Sequence, residues 1–372
     1  MLQKKAIIIS CFDWYENRLK YVERKLQSMG YDVKFLFSDF NHTKKIYQRN
    51  YVKDNVCYIH VRGYQKNISI QRLISHYYFA INVCKNVKDE NPDLVYCLIP
   101  PNSLVRKIVY LRKKIRFKLV FDVIDMWPES FPKMRKFSFF FTSWKFLRDK
   151  FINMADEVVV ECEYYKRFLK TVERNKFVIF RLVKDEIEEE IIYEPYKEMI
   201  CLGYLGSINS IIDIDRICNI VSLLCKKYSV LVRVVGDGEQ REKFLKKLRQ
   251  AGANVKFFGK QYEEKELYRI FGNCHLGINI YKANLNIGLT MKSVNYFQMN
   301  LPILNSILGD TWEVVDKYQV GINICDNDEM NCETIVKYVK NIAIFRKNVK
   351  SLFEREFSSQ NINERIAFLE NV

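Results

Sequence analysis

Two series of short β-rich runs alternating with helical patterns constrain the fold of this chain more than any other feature. The first series starts at the apolar run Lys5–Cys11, and the second starts at Met199. Strands that alternate with helices pair in parallel, and helices then cover both faces of the sheet. The pattern predicts an α/β protein with two doubly wound, Rossmann-like domains facing a central cleft. Ligands are expected at the carboxyl ends of the strands.

An acidic stretch between the two series predicts a domain boundary. It contains a run of three glutamates at 188–190 and the proline Pro195, which break the alternation. We predict an N-terminal domain over 1–185, a linker over 186–197, a C-terminal domain over 198–347 and a closing helical segment over 348–372. A chain of 372 residues is long enough for two domains.

The composition is typical of a folded cytoplasmic protein. Hydrophobic residues make up 48% of the chain, and its eleven cysteines form no Cys-x-x-Cys pair. Such cysteines are expected to be buried and reduced. The apolar run Ala6–Ile9 is too short for a signal sequence or a membrane span. With four histidines at no metal-binding spacing, we expect no bound metal.

A net charge of +16 indicates an acidic partner. The segment Arg106–Lys118 contains seven basic residues and no acid, and residues 133–150 interleave further cations with aromatic residues. A basic amphipathic helix suits an anionic membrane surface. The alternative is that the aromatic residues pack inward and the cations are solvated. No nucleic-acid-binding module is recognisable, so we expect no nucleic acid partner. The apolar face predicted at helical spacing comprises Phe137, Phe140, Phe141, Trp144 and Leu147.

Glycine turns follow two strands of the second series. Gly206 and Ser207 end the first strand, and Gly236, Asp237 and Gly238 precede a helix. Glycine lets backbone amides approach a phosphate, and the start of a helix favours an anion. The alternative is that both are plain strand-to-helix turns.

A third loop combines a small turn with a cation. In Gly288-Leu289-Thr290, the threonine is a candidate helix N-cap or phosphate ligand, and Lys292 is a candidate phosphate cation. Asn295 lies about one turn further on and is expected to face the same site. The alternative is that Thr290 only caps the helix and Lys292 is solvated.

Together these segments resemble the retaining glycosyltransferases of family 4, which have the GT-B fold. The segment Lys292–Pro302 is similar to that family's Lys-x-x-Glu-Tyr-Met segment. The stretch Asp125–Glu129 resembles the Asp-x-Trp-Pro-Glu loop of its bacterial polysaccharide members. The resemblance spans most of the chain. It implies a hexosyltransferase-like enzyme that transfers a sugar, with retention, from a nucleotide diphosphate sugar to a polyprenyl-diphosphate-linked glycan in capsule, O-antigen or exopolysaccharide synthesis.

The resemblance also implies roles for named residues. Catalytic roles fall on Asp125 and Lys292, and no metal or cofactor is expected because cations and loops neutralise the leaving diphosphate. The closing helix is expected to return to the N-terminal domain, and the enzyme to lie on the inner face of the cell membrane. The donor would contact Gly206, Ser207, Gly236, Asp237, Gly238, Gly288, Leu289, Thr290, Lys292 and Asn295.

The acceptor is expected in the first domain. A carboxylate there binds a sugar hydroxyl or acts as a base, although Asp125 would alternatively be a helix N-cap before Pro128. A structural role is the alternative for the histidine that shares a helix face with an arginine four residues earlier. The acceptor-side residues are Asp13, Asn17, Arg72, His76, Trp127 and Glu129.

The chain departs from the family pattern at two glutamates. Ile287 and Asn295 stand at those positions, and no basic residue follows the first glycine turn between Ser207 and Asp215. These departures admit a non-catalytic GT-B partner subunit as an alternative. A sugar-nucleotide 2-epimerase is another, but it would need carboxylates and a histidine that the second-domain loops lack.

Overall fold

The computed structural model describes residues 3–12, 16–49, 54–67, 69–130, 138–187, 199–283 and 285–372. The chain forms two compact units, unit 1 over Met1–Arg181 with Ile362–Val372, and unit 2 over Leu182–Asn361. Unit 2 thus starts at Leu182 rather than at residue 198, and the return to unit 1 starts at Ile362 rather than at 348. Most of the predicted linker lies outside the described residues.

Unit 1 is built on a parallel sheet of seven strands, with the short antiparallel pair β3 and β4 beside it. The sheet order is β5-β2-β1-β6-β7-β8-β9. The strands of unit 1 are β1 (Lys4–Ser10), β2 (Tyr31–Ser38), β3 (Phe40–Asn41), β4 (Ile46–Tyr47), β5 (Val56–Ile59), β6 (Leu94–Ile99), β7 (Lys118–Val123), β8 (Glu157–Val160) and β9 (Phe177–Ile179). Its helices up to the unit boundary are α1 (Glu16–Ser28), α2 (Ile70–Glu90), α3 (Asn102–Arg112), α4 (Ser138–Asp149) and α5 (Glu163–Lys166).

Unit 2 repeats the architecture with six parallel strands in the order β12-β11-β10-β13-β14-β15. Its strands are β10 (Met199–Leu205), β11 (Ser229–Val235), β12 (Asn254–Phe257), β13 (Leu276–Asn279), β14 (Ile303–Asn305) and β15 (Gly321–Asn323). Its helices are α6 (Ile214–Cys225), α7 (Arg241–Gln250), α8 (Glu264–Phe271), α9 (Met291–Gln298), α10 (Asp310–Tyr318), α11 (Asp328–Lys340) and α12 (Ile342–Glu356). In unit 1, α13 (Ile362–Arg365) follows.

Both sheets are doubly wound, as the alternating pattern predicts. The central strand β6 is buried at every position, which is typical of a parallel strand covered on both faces.

The closing segment is not one helix over 348–372, because the residues after α12 pack against unit 2. Phe357 is buried against Phe297 at a ring-centroid distance of 5.7 Å, and Ser358 forms an isolated parallel β-bridge with Lys184.

The strand order reverses at one point in each sheet, and these points locate the sites. In unit 1 the reversal lies between β1 and β6, and in unit 2 between β10 and β13. The loops that leave two such strands diverge to opposite faces of the sheet, and the gap between them is the usual ligand position in open α/β sheets.

Tyr296 of α9 bridges the two strands at the reversal in unit 2. Its hydroxyl accepts a hydrogen bond from the Leu205 N–H at 2.8 Å and lies 3.1 Å and 3.2 Å from the carbonyl oxygens of Gly203 and Ile278. Its ring packs on Gly277, where a Cβ would approach within 2.7 Å. This contact fixes the start of α9 relative to the ends of both strands.

We expect Tyr296→Phe to lower the free energy of unfolding by about 1–3 kcal/mol, because it leaves a buried N–H and two buried carbonyls without this partner. Chemical denaturation measures the change. Tyr262→Phe is the matched control, since Tyr262 is 83% exposed. Equal stability of the two variants would contradict the bridging role.

Candidate functional site

Lys292 occupies the reversal point of unit 2. Its side chain is buried, and Nζ lies 4.2 Å from the Tyr204 ring centroid and 4.8 Å from that of Tyr281. Nζ has no hydrogen-bond partner and forms no ion pair within the described residues. Burial lowers its pKa to about 7 from the ordinary value of 10.5. Among the described residues, the protonated amine is therefore stabilised by aromatic faces and not by an acid.

The glycine turns pack against one another beside this lysine. A Cβ on Gly236, whose φ is +138°, would lie 1.9 Å from the Gly206 carbonyl oxygen, so only glycine fits. A Cβ on Gly206 would lie 3.3 Å from the Lys292 Cε. The Ile208 N–H donates to the Asp237 carbonyl at 2.9 Å. The two loops therefore form one surface that reaches the lysine.

The Gly-Asp-Gly turn uses its own polar groups for local structure. Asp237 Oδ1 accepts from the Gly238 N–H at 2.8 Å, and the carboxylate pairs with Arg241 at 3.1 Å and Lys260 at 3.6 Å. Ser207 is exposed, and its carbonyl accepts from the Tyr204 hydroxyl at 2.8 Å. Ser207 thus positions a ring that contacts Lys292.

The third loop starts α9 as the N-cap interpretation predicts. Thr290 Oγ1 accepts from the Ser293 N–H at 3.0 Å and lies 2.7 Å from the Ser293 hydroxyl oxygen. Gly288 is buried, and its carbonyl accepts from Thr311 at 2.9 Å and 2.7 Å, while Leu289 packs on the unit 2 core. Phosphate binding by Thr290 stays a prediction.

Asn295 is half-buried one turn beyond Lys292. Its Oδ1 is buried and accepts no hydrogen bond within the described part of the chain. Ile287, at the other position of the family's glutamates, is half-buried. The reversal point therefore offers an unpaired ammonium and an unpaired amide oxygen, and its Ile287 position offers no carboxylate.

Unit 1 brings three of the predicted acceptor residues together. The Arg72 guanidinium lies 3.9 Å from the Trp127 ring centroid, and the His76 ring stacks on the same indole at 6.0 Å. Burial lowers the pKa of His76 well below its ordinary value, with the Arg72 charge adding to the effect. Phe12, after β1, closes the cluster at 5.6 Å from Trp127. Asp13 lies outside the described residues, and Asn17 is exposed on α1.

Asp125 follows β7, but no helix starts there, so the N-cap alternative is wrong. Its Oδ1 accepts from the Ser130 hydroxyl at 2.9 Å within a turn. Burial raises the pKa of Asp125 to about 6, although hydrogen bonds from Ser130 and Trp127 act to lower it. Glu161, directly after β8 and half-buried like Asp125, is a further carboxyl group that sequence reasoning missed. Burial raises the pKa of Glu161 to about 8, and the charges of Asp122 and Asp125 add to the rise.

Glu129 has a structural partner that its position in the sequence does not reveal. Arg148 of α4 donates to its two carboxylate oxygens at 3.1 Å and 2.7 Å, and Lys145 lies 3.1 Å away. Burial opposes ionisation, but the Arg148 hydrogen bonds and charge lower the pKa of Glu129. Arg148 also bonds the Trp127 carbonyl at 2.9 Å. Glu129 therefore anchors the loop that presents Trp127.

The structure describes part of the predicted apolar face of α4. Trp144 is buried and stacks on the half-buried Phe141, Leu147 is half-buried, and Phe137 lies outside the described residues. Phe139 and Phe146 are exposed. Of the described helices, none is both long and apolar enough to cross a bilayer. Within the described residues, no group of three or more His, Cys, Asp or Glu could hold a metal ion.

The two reversal points and their loops define a GT-B fold, and the structural comparisons agree. The galactosyltransferase WaaB of the lipopolysaccharide outer core superposes with a TM-score of 0.71 at 14% identity, over 99% of this chain and 100% of that one. HepE from Anabaena in complex with UDP gives 0.70 at 12%, with 99% and 100% coverage. WaaG, of lipopolysaccharide biosynthesis, gives 0.65 at 13%, with 98% and 99% coverage.

The sequence comparison concerns unit 2. Residues 200–341 match the family model of the Glycosyl transferases group 1. None of the curated proteins compared with this sequence matches it. The chain thus has the GT-B fold, and Lys292 lies within the part of unit 2 that matches this family model.

We expect Lys292→Met to raise the melting temperature of the ligand-free protein near pH 6. The folded pKa of about 7 lies below the ordinary 10.5, so the unfolded chain binds more protons between these values. Stability then rises with pH through this window, and the cost of the buried charge is complete below it. The advantage of the variant should shrink as the pH approaches 10.

Thermal unfolding across this pH range measures the difference. Lys282→Met is the control, because Lys282 is an exposed lysine close in sequence. A difference between Lys292→Met and the native protein that does not change with pH would contradict the burial of an uncompensated charge.

Proposed function

We propose that this protein is a retaining, hexosyltransferase-like enzyme that moves a sugar from a nucleotide diphosphate sugar to a lipid-linked glycan. The product would belong to a bacterial surface polysaccharide, such as a capsule, O-antigen or exopolysaccharide. The observation that carries the proposal is Lys292, which has no hydrogen-bond partner among the described residues and lies at the reversal point of the unit that matches the group 1 glycosyl transferase model.

The donor would bind at the carboxyl edge of unit 2. A diphosphate beside Lys292 would be the anionic partner that the described residues do not supply. The Asn295 side-chain amide can form hydrogen bonds with a ribose hydroxyl. HepE has been crystallised with UDP and with UDP-glucose, which supports a uridine nucleotide here.

The chemistry follows from the charge that develops on the leaving group. As the bond between the sugar and the diphosphate breaks, negative charge grows on the phosphate oxygens. A preorganised cation between two aromatic rings stabilises that charge, because water screens little in a buried site. No metal or cofactor is proposed. Asp125, whose pKa burial raises to about 6, is the proposed group that accepts the proton of the attacking hydroxyl.

One alternative has an observation in its favour. Ile287 replaces a carboxylate of the family pattern, as expected for a partner subunit that has lost catalysis. A buried lysine without a partner opposes it, because such a charge lowers stability unless a ligand compensates for it. The epimerase alternative has less support, since His275 precedes β13 at its amino end and accepts from the Cys201 N–H at 2.9 Å.

The surface of unit 1 supports a lipid-linked acceptor and peripheral attachment to the cytoplasmic face of the membrane. A groove of about 660 Å³ between α2, α3 and α4 is lined by apolar side chains such as Ile74, Tyr77 and Leu147. Cations accompany its exposed aromatic residues, with Lys107 Nζ lying 4.8 Å from the Tyr77 ring. An apolar groove with cations at its rim suits an isoprenoid chain that ends in phosphate.

Melting temperatures with UDP, GDP, ADP, CMP and matching nucleotide sugars test the donor site. A ligand that binds only the folded state raises the melting temperature in a saturable way. We expect a uridine nucleotide to do so, and Lys292→Met to weaken its affinity by about tenfold or more, since hydrogen bonds to charged groups contribute about 1.5–3 kcal/mol.

Lys282→Met should keep the native affinity. No shift with any nucleotide in well-folded protein would refute the donor site and favour the non-catalytic partner subunit. An equal loss of affinity in both variants would mean that the lysines act only through long-range charge.

A further inference from the structure

Arg18 and Arg72 of unit 1 are both buried, but only Arg18 forms hydrogen bonds through the Nε–Nη2 edge of its guanidinium. Arg18 donates from Nε and Nη2 to the two oxygens of Asp122 at 2.6 Å and 2.8 Å. Arg72 is 2% exposed, and its Nε and Nη2 make no hydrogen bond within the described residues. Its Nη1 donates to the Asn67 carbonyl at 2.8 Å, and the Tyr64 side chain also bonds the guanidinium. The edge that binds a carboxylate in Arg18 is thus unused in Arg72.

Aromatic rings hold the Arg72 guanidinium in place. It lies 3.9 Å from the ring centroid of Trp127, 5.7 Å from that of Tyr64 and 5.9 Å from that of Phe12. Stacking on the indole fixes the plane of the guanidinium, and the Asn67 carbonyl fixes its rotation. The Nε–Nη2 edge of Arg72 is therefore preorganised. Binding of a bidentate ligand would cost less side-chain entropy here than at a mobile arginine.

Within the described residues, no acid forms an ion pair with Arg72. His76 is buried and, because burial lowers its pKa, neutral at pH 7, and its two ring nitrogens have no hydrogen-bond partner within the described residues. Burial and the charges of Arg72 and Lys45 lower the pKa of His42 to about 3. Burial lowers the pKa of Arg72, and the effects of Tyr64, Cys11 and Asp125 oppose this only in part. An arginine cannot release its charge in such a setting.

The position of this cluster is that of a ligand site. Phe12 follows β1, His42 follows β3 close to the end of β2, and Trp127 follows β7, so the loops come from the carboxyl edge of the sheet. Arg72 lies in the first turn of α2, whose N-cap Ser69 accepts from the Arg72 N–H at 3.2 Å. A cation and a helix start at this edge both favour an anion.

We propose that the acceptor carries an oxyanion, a sugar carboxylate or a phosphate, which the Nε–Nη2 edge of Arg72 binds in bidentate fashion. The assignment to the acceptor depends on the proposed function. The anion site itself does not depend on it. A neutral acceptor would leave the guanidinium buried and unpaired, so the site selects for charge at this position.

Small probes that differ in one group test the proposal. Methyl glucuronide and methyl glucoside differ only in a carboxylate and a hydroxymethyl group, and inorganic phosphate represents the phosphate source. Ligand-observed NMR titration at fixed ionic strength gives the affinities. We expect binding of either the glucuronide or phosphate, and affinity for the glucoside at least tenfold weaker. If methyl glucuronide binds more tightly, the acceptor group is a sugar carboxylate, and if phosphate binds more tightly, it is a phosphate.

Two variants test whether anion binding depends on the Nε–Nη2 edge of Arg72. Arg72→Met keeps the length and the stacking on Trp127 but removes the charge, and Arg72→Lys keeps the charge but removes the bidentate edge. Both should weaken anion binding at least tenfold, while the melting temperature of Arg72→Met stays equal to the native value or rises. Arg62→Met is the control, because Arg62 is an exposed arginine 4.6 Å from the Tyr78 ring.

The results separate this proposal from the donor site. Loss of anion binding with a native response to UDP locates the anion site in unit 1. Native anion affinity in Arg72→Met, full affinity in Arg72→Lys, an equal loss in Arg62→Met, or equal binding of glucuronide and glucoside would each overturn the proposal. A failed UDP response with intact anion binding would refute the proposed function alone.

Discussion

The contact of the buried Lys292 amine with two tyrosine rings, without an acidic partner among the described residues, is the interaction on which the proposed donor site of unit 2 depends. Tyr296 fixes α9 at the strand reversal, and the mutual contact of Gly206 and Gly236 brings backbone close to the lysine stem. Aromatic faces hold the cation more weakly than a carboxylate would. We propose that the site thereby keeps an ionisable amine available for an anionic ligand, at a cost to the stability of the ligand-free protein.

Unit 1 shows the same arrangement in Arg72. In both units a buried cation lies against aromatic rings at the carboxyl edge of a doubly wound sheet, and in neither does a described acid bond to it. Elsewhere in unit 1, buried arginines are paired, as Arg18 is with Asp122 and Arg148 with Glu129. This contrast among the described residues is the basis for the proposal that Lys292 and Arg72 bind anionic ligands.

The sequence predicted the features that have a local signature. Alternating strands and helices indicated both sheets, and the spacing after Gly288 indicated the cap at Thr290 and the cation at Lys292. Contacts between distant segments carry no such signature. The rings of Tyr204 and Tyr281, the Arg148 partner of Glu129 and the stacking of Arg72 on Trp127 all depend on the folded sheet order. Helical periodicity identified an apolar face on α4, but only packing shows that Trp144 turns inward.

Proton uptake on donor binding tests the central claim most directly. A diphosphate beside Lys292 should raise its pKa from about 7, so binding at pH 8 takes up close to one proton. UDP-glucose is the suitable ligand, because its diphosphate has no group that titrates near neutral pH. Calorimetry in buffers of different ionisation enthalpy should show uptake of about one proton at pH 8, little at pH 6 and none in Lys292→Met. Binding without uptake at pH 8, or equal uptake in the variant, would contradict the account.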